Sequence, residues 1–311
     1  MGSKSNRNLG TSELKIDIVY TWVNGADSEY MKLCQQYSKE TMDMNPERFR
    51  DIYQLLKYSM RSLELYMPWV NNIFILTQRA QVPDWLDTSH PKIKLVHHDD
   101  VFENKEHLPT FSCNTIESYL HRIPGLSDHF IYVNDDFLFG RETSKDVFIS
   151  PEGRINVFGT IMGENLPFRL YDGKNDIIGL GLVEHCPLLI HKKYWADMAW
   201  INAKKMEQTR SNKFRKRTDY MMPKLYKYYM LRYQRKHSRA VKLWELNKFH
   251  MFYKITNDLN YQQKRMAKLK AMRPNFYCLN DDQRDNPNPE VVELVKEFLQ
   301  QSYPDPSSFE K

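Results

Sequence analysis

Residues 130–140, FIYVNDDFLFG, constrain the chain most. The apolar run Phe130-Ile131-Tyr132-Val133 reads as a short buried strand. It ends in Asn134-Asp135-Asp136, and apolar residues then resume up to Gly140. Adjacent carboxylates at the carboxyl end of a strand are a common way to hold a hard divalent cation. Mg²⁺ and Mn²⁺ take oxygen ligands, and Mg²⁺ usually binds through one or two carboxylates plus substrate phosphates. The carboxyl end of an open sheet is also where α/β folds place their ligands. The plainer reading is a carboxylate pair that caps the strand and begins a turn. On the pair alone, both readings stand.

A chain of 311 residues suffices for one large domain, or a domain plus a subdomain. With 41% hydrophobic and 27% charged residues it belongs with globular rather than disordered chains. No run of eighteen apolar residues exists, so no segment reads as a membrane span. Met1-Gly2-Ser3 reads as an expression remnant and residues 4–13 as a polar lead-in, with no secretory signal. Cys34, Cys113, Cys186 and Cys278 are far apart and form no CxxC pair. That argues against a zinc site and a disulfide scaffold, and suits a reducing cytoplasm.

Taken in order, residues 16–23, IDIVYTWV, read as a first strand ended by the turn signal Asn24-Gly25. Asp17 lies inside that strand. A carboxylate there is costly unless paired, so it is either structural with a partner or part of a site. Gly25, in the loop that follows, lets backbone approach a ligand closely. Residues 48–66 read as a helix, with Ile52, Leu55, Leu56, Ser59, Met60 and Leu63 on one face and Pro68 as the stop. Its Arg48, Arg50 and Arg61 suit either solvent or bidentate phosphate contact. Residues 73–77 and 93–96 read as further strands. His97-His98-Asp99-Asp100 offers metal ligands, although a polar loop is the safer reading. Residues 115–123 read as a helix that leads into the NDD strand. Alternating strands and helices imply an α/β sheet with helices on its faces. Residues 146–181 are rich in glycine and read as a long loop of the kind that carries function or acts as a lid. His185 follows. A lone histidine is more often a hydrogen-bonded structural residue than a catalyst.

Residues 204–248 hold fifteen Lys and Arg against three acidic residues. Met222, Leu225, Tyr226, Tyr229, Met230 and Tyr233 mark a helical stripe, with Lys224, Lys227, Arg232, Arg235 and Lys236 mostly off it. This is either an amphipathic helix with a solvated basic face or a track for a polyanion. Nucleic acid, a polymer of sugar phosphodiesters and an anionic lipid surface are the candidates. Residues 276–279 are apolar and end in Asn280-Asp281-Asp282, a second NDD cluster that could converge with the first on one metal. Pro289 opens a last helix with Val291, Val292, Leu294, Val295, Phe298 and Leu299 on its buried side. A Pro-rich tail follows at residues 303–309.

Four segments resemble the conserved regions of the Stealth family of sugar-1-phosphate transferases: IDIVYTWVNGAD (16–27), residues 48–77 with YSMRSLELYMPWVNNIFILT, HLPTFSCNTIESYLHRIPGLSDHFIYVNDDFLFG (107–140), and FYCLNDD (276–282). The motifs are long, ordered and spread over most of residues 16–309. The family includes the eukaryotic N-acetylglucosamine-1-phosphotransferase and bacterial capsule polymerases. The resemblance implies a GT-A-like, nucleotide-sugar-binding α/β sheet with helices on both faces, over residues 14–200 and 249–311. A mainly helical basic subdomain would occupy residues 201–248. It implies that a UDP-N-acetylhexosamine gives its hexosamine-1-phosphate to an acceptor hydroxyl and releases UMP. Asp135, Asp136 and Asp281 would hold Mg²⁺ or Mn²⁺. His185, set before a proline, would be the general base, and Arg215, in the Asn212-Lys213-Phe214-Arg215 motif, would contact phosphate. Asp17, Trp22, Asn24 and Gly25 would shape the nucleotide end of the donor site. Arg48, Arg61, Asn134 and Asn280 would also contact substrate.

The chain departs from the eukaryotic enzyme by lacking its large insertions and membrane-spanning ends, and Asp282 stands where many members carry Asn. The compact form favours the bacterial capsule type, acting in the cytoplasm or peripherally at the inner membrane. Its acceptor would be an anionic polysaccharide, and its partners a membrane surface or capsule-assembly proteins rather than nucleic acid. Lys224, Lys227, Arg232 and Arg235 would then grip the growing polymer. Two alternatives remain: a metal-dependent UDP-sugar glycosyltransferase that releases UDP, and a non-enzymatic polyanion-binding protein.

Overall fold

The computed structural model describes residues 14–45, 49–160, 185–246 and 248–311. Its central sheet has five strands: β1 (Ile16–Thr21), β2 (Ile73–Thr77), β3 (Ile93–His97), β4 (His129–Asn134) and β7 (Leu188–His191). Their spatial order is β3-β2-β1-β4-β7. The first four are parallel and β7 runs antiparallel to β4. The apolar runs are buried as such runs must be in a largely parallel sheet. Thr21 lies opposite Asn134 in the register, so the loops after β1 and β4 open at the same end of the sheet.

Asp17 lies at the other end. Its Oδ1 accepts from Asn71 Nδ2 (2.8 Å) and Asn72 N (3.0 Å), and its Oδ2 from Ser127 N (2.6 Å). The carboxylate therefore pins the connections that enter β2 and β4. The expectation that it shapes the nucleotide site is corrected: its oxygens are spent on these donors, away from the strand ends that face ligand.

A second sheet, in the order β5-β10-β9, holds β5 (Phe137–Phe139), β9 (His250–Ile255) and β10 (Phe276–Asp281). Only Asp135 and Asp136 separate β4 from β5, so the chain passes from one sheet to the other in two residues. Side chains alternate across a strand. Phe137, Phe139, Phe276 and Cys278 accordingly join the main core. Leu138, Tyr277 and Leu279 join a second core with residues of α9 (Leu259–Met272) and α10 (Pro289–Ser302).

The helix expected over residues 48–66 is α2 (Leu55–Tyr66), with Leu55, Leu56, Ser59, Met60 and Leu63 buried. Arg48 lies outside the described residues. Arg61 is no phosphate ligand. Its Nε and Nη2 donate to the two carboxylate oxygens of Glu310 at 2.7 and 2.8 Å, and its Nη1 to Tyr303 O at 3.0 Å. The residues 115–123 form two short pieces, α4 (Cys113–Glu117) and a 3₁₀ turn at Leu120–Arg122. Of the glycine-rich loop expected over residues 146–181, residues 161–181 lie outside the described residues.

The basic stretch differs most from expectation. Its helix α7 (Met222–Tyr233) is buried nearly all round: Lys224 is 8% and Lys227 1% exposed. Tyr226, Tyr228 and Tyr229 spread aromatic surface over most of the circumference, and such a helix sinks into the core. The lysine stems run through that packing. Lys224 and Lys227 therefore form no solvent-facing polymer track. Arg232 is half-buried and Arg235 exposed. Met222, Leu225 and Tyr226 share one core with β1 and β4. After α7, β8 (Ser238–Lys242) pairs in parallel with β6 (Ile155–Thr160). No helix among the described residues is long and apolar enough to cross a membrane.

Candidate active site

Two clefts open at the carboxyl ends of β1 and β4 and share Cys113, Asn134 and Arg215. The first, about 650 Å³ with its open mouth included, is lined by His185, Cys186, Glu117, Lys224 and Lys227 among others. The second, about 800 Å³ with its open mouth included, is lined by Trp22, Tyr30, Phe49, His98, Phe111, Asp135 and Phe214 among others. The sheet delivers Asn134 and Asp135 to the junction because β4 ends there.

Asp136 sits at the inner side of this corner and is 8% exposed. Its Oδ2 accepts from Cys278 Sγ (3.1 Å) and from Asn280 Nδ2 (3.2 Å). Its Oδ1 is buried with no hydrogen-bond partner. His185 Nδ1 lies 3.9 Å from Cys278 Sγ, and its ring packs on Phe252 with centroids 4.7 Å apart. One ligand atom each from Asp136, His185 and Cys278 fall within 4.8 Å of one another. His185 is held in a left-handed backbone conformation, φ 53°. A non-glycine residue there is uncommon and clusters at functional positions.

Carboxylates crowd one another at this corner. Burial pushes the Asp135 carboxyl well above the usual carboxylate range, and the negative charges of Asp136 and Asp51 push it further. Burial also raises Asp51. Burial and Asp136 push the Cys278 thiol well up, so it stays protonated and donates to the carboxylate. A hard dication suits this donor set. The orphaned Asp136 Oδ1 and the crowded Asp135 are oxygen donors of the kind Mg²⁺ and Mn²⁺ take, whereas a protonated thiol is not.

Asp281, expected as a third metal ligand, is elsewhere. In β10 it shares parity with Leu279 and not with Cys278 and Asn280. It faces Arg50, whose Nε and Nη2 grip its carboxylate at 2.6 and 2.8 Å. Asn280 is the residue of the second NDD cluster that reaches Asp136. Asn24 and Gly25 act on the loop itself. Asn24 Oδ1 accepts from Ala26 N at 2.9 Å, and its backbone pairs with the Gln81 side chain at 2.9 and 3.0 Å. A Cβ on Gly25 would stand 1.9 Å from Phe49 O, so the close approach that this glycine permits is to the chain's own backbone. Trp22 does line the second cleft. Sequence reasoning missed Asp51, Cys278 and Glu117. Only Cys278 carried a signal: it stands two residues before Asn280 and so shares its face.

Three conserved-region descriptions match in order: Stealth protein CR1 over residues 14–42, CR2 over 48–157 and CR4 over 267–311. The chain is 33% identical over 321 aligned residues to the exopolysaccharide phosphotransferase CpsY of Mycobacterium tuberculosis, covering 95% of this chain and 58% of that protein. It is 29% identical to the capsular polysaccharide phosphotransferase fcs1 of Haemophilus influenzae, covering 91% of this chain and 82% of that protein. It is 44% identical over 149 residues to the human N-acetylglucosamine-1-phosphotransferase subunits alpha/beta, covering 48% of this chain and 11% of that protein. The chain thus spans only part of several of these relatives. Among solved structures, the galactosyltransferase LgtC superposes with a TM-score of 0.45 at 14% identity, over 92% of this chain and 96% of that one. At that level neither its reaction nor its site transfers to this chain. With three of its conserved regions present in sequence order, the chain belongs to the Stealth family.

Proposed function

We propose that the chain transfers N-acetylhexosamine-1-phosphate from a UDP-sugar to a hydroxyl of a growing anionic polysaccharide, releasing UMP. The observation that carries this reading is the junction of two clefts at Asn134 and Arg215, with Asp135 in one wall and His185 in the other. A donor nucleotide in the aromatic cleft would present its diphosphate at the junction. An acceptor in the cleft beside His185 would meet it there. The names of the phosphotransferase relatives agree with this chemistry.

The acceptor oxygen forms a bond to the sugar-bearing phosphorus as the bond from that phosphorus to the bridging oxygen breaks, and UMP departs. His185 accepts the hydroxyl proton. Arg215 steadies the charge on the phosphoryl oxygens. Lys224 and Lys227, buried in the acceptor cleft, hold anionic groups of the acceptor. Asp135 and Asp136 would hold Mg²⁺ or Mn²⁺, which when bound neutralises diphosphate charge.

The test incubates the chain with UDP-N-acetylglucosamine or UDP-N-acetylmannosamine, Mg²⁺ or Mn²⁺ and a short phosphodiester acceptor. UMP is the expected nucleotide product, lost on chelation. Release of UDP would make the chain a glycosyltransferase. Binding of the polyanion without turnover of any donor would make it a non-enzymatic binder.

A further inference from the structure

Resting on a uridine nucleotide as donor, we propose that the second cleft takes the flat base between its aromatic walls and that His98 hydrogen-bonds the edge of that base. His98 opens the short helix α3 (His98–Val101) directly after β3. It lines the cleft together with Trp22, Tyr30, Phe49, Phe111 and Phe214. These rings brace one another. Phe111 stacks on Phe214 with centroids 4.8 Å apart, and Tyr30 meets Phe111 edge-on at 5.6 Å. A preformed wall of aromatic faces suits a planar heterocycle.

His98 is 2% exposed, and neither ring nitrogen has a hydrogen-bond partner. The two aspartates of the HHDD cluster are engaged otherwise, and His97 Nδ1 is likewise buried without a partner, but His97 does not line the cleft. Asp100 accepts from His97 N at 2.9 Å, and Asp99 and Asp100 pair with Arg79 at 2.7 and 2.6 Å. A buried polar side chain left without a partner costs stability, and native structures rarely tolerate one without a reason. A bound molecule that supplies the partner is such a reason. Burial pushes the imidazole down to about 4, so the ring is neutral near pH 7. One nitrogen then donates and the other accepts. The edge of uracil alternates carbonyl, N–H and carbonyl, so it can answer an imidazole nitrogen in either role.

The experiment titrates uridine, UMP, cytidine, adenosine and ribose 5-phosphate into the intact chain by calorimetry, for wild type, His98→Phe and His98→Asn. The phenylalanine fills the space and removes both nitrogens. It should weaken uridine and UMP about tenfold, the scale of one lost hydrogen bond, and leave ribose 5-phosphate unchanged. Asparagine should recover part of the loss. If His98→Phe does not fold, uridine binding weaker than wild type in His98→Asn, with ribose 5-phosphate unchanged, carries the same information. Uridine binding equal to wild type in a folded His98→Phe overturns the proposal, as does a loss shared by ribose 5-phosphate or no uridine binding by wild type. UMP release with base affinity indifferent to His98 sinks this inference alone. Base affinity that depends on His98 without UMP release sinks the phosphotransfer reading alone.

Discussion

Replacing Glu310 with Gln tests whether Arg61 serves the fold or the substrate. The Glu310 carboxylate is gripped by Arg61 at 2.7 and 2.8 Å, with Lys57 at 3.3 Å. Burial pushes its pKa up. The hydrogen bonds from Arg61 and Ser307 N, with the charges of Arg61 and Lys57, outweigh that and bring it from 4.5 down to about 2. At ~1.4 kcal/mol per pH unit, this difference corresponds to about 3 kcal/mol of native-state stabilisation. Partial solvent screening of the ion pair lowers the expected loss to about 2 kcal/mol. Because the folded pKa is depressed, the contribution is complete above about 4.5 and is lost as pH falls toward 2. Urea unfolding should therefore separate wild type from Glu310→Gln at pH 7 and pH 5. The gap should narrow below pH 4.5 and close near pH 2. Donor affinity at pH 7 should not change. A gap that ignores pH would refute the ion-pair argument. A well-folded variant with weakened donor binding would return Arg61 to the substrate.

Two further outcomes follow from packing. Gly25→Ala would drive its Cβ to 1.9 Å from Phe49 O. It should cost about 3 kcal/mol, the upper end for overpacking, read as a fall in melting temperature; an unchanged melting temperature would show that the two loops do not meet. Lys227→Met keeps the buried stem and removes the charge. It should lower kcat/KM for even the shortest acceptor by about 10–100-fold, the scale of one charge-assisted hydrogen bond. Arg232→Ala with Arg235→Ala should leave that step intact; shorter products with normal transfer to short acceptors in that double variant would favour an outer polymer track, and an unchanged kcat/KM in Lys227→Met would refute the role of Lys227.

The central strands were legible because apolar β-rich runs ended by polar loops have few other readings, as residues 16–23 and 130–133 illustrate. The helix over 289–302 was legible from its proline and its periodicity. Two things were not. The period of β10 is visible in its residues, but which side faces the site is not, so Asp281 reads as a metal ligand and Asn280 only as a substrate contact, whereas Asn280 and Cys278 point inward. Arg50 supplies the reason, and no spacing announces a partner 231 residues away. The burial of α7 was likewise hidden. Its lysines suggested solvent, and only the tertiary packing of Tyr226, Tyr228 and Tyr229 reveals that they lie inside. His98 looked like one more polar residue in a loop, because a sequence does not report which polar atoms end up without partners.

The two-residue step from β4 to β5 has a mechanical consequence. The carboxylates proposed to meet the cation are also the sole covalent link between the two sheets at that point. Any slip of one sheet past the other would move Asp135 against Asp136. The spacing of the two carboxylates and the alignment of the two sheets are thus coupled. Substitutions under Leu138 or Tyr277, remote from either cleft, should register as altered turnover before they register as unfolding.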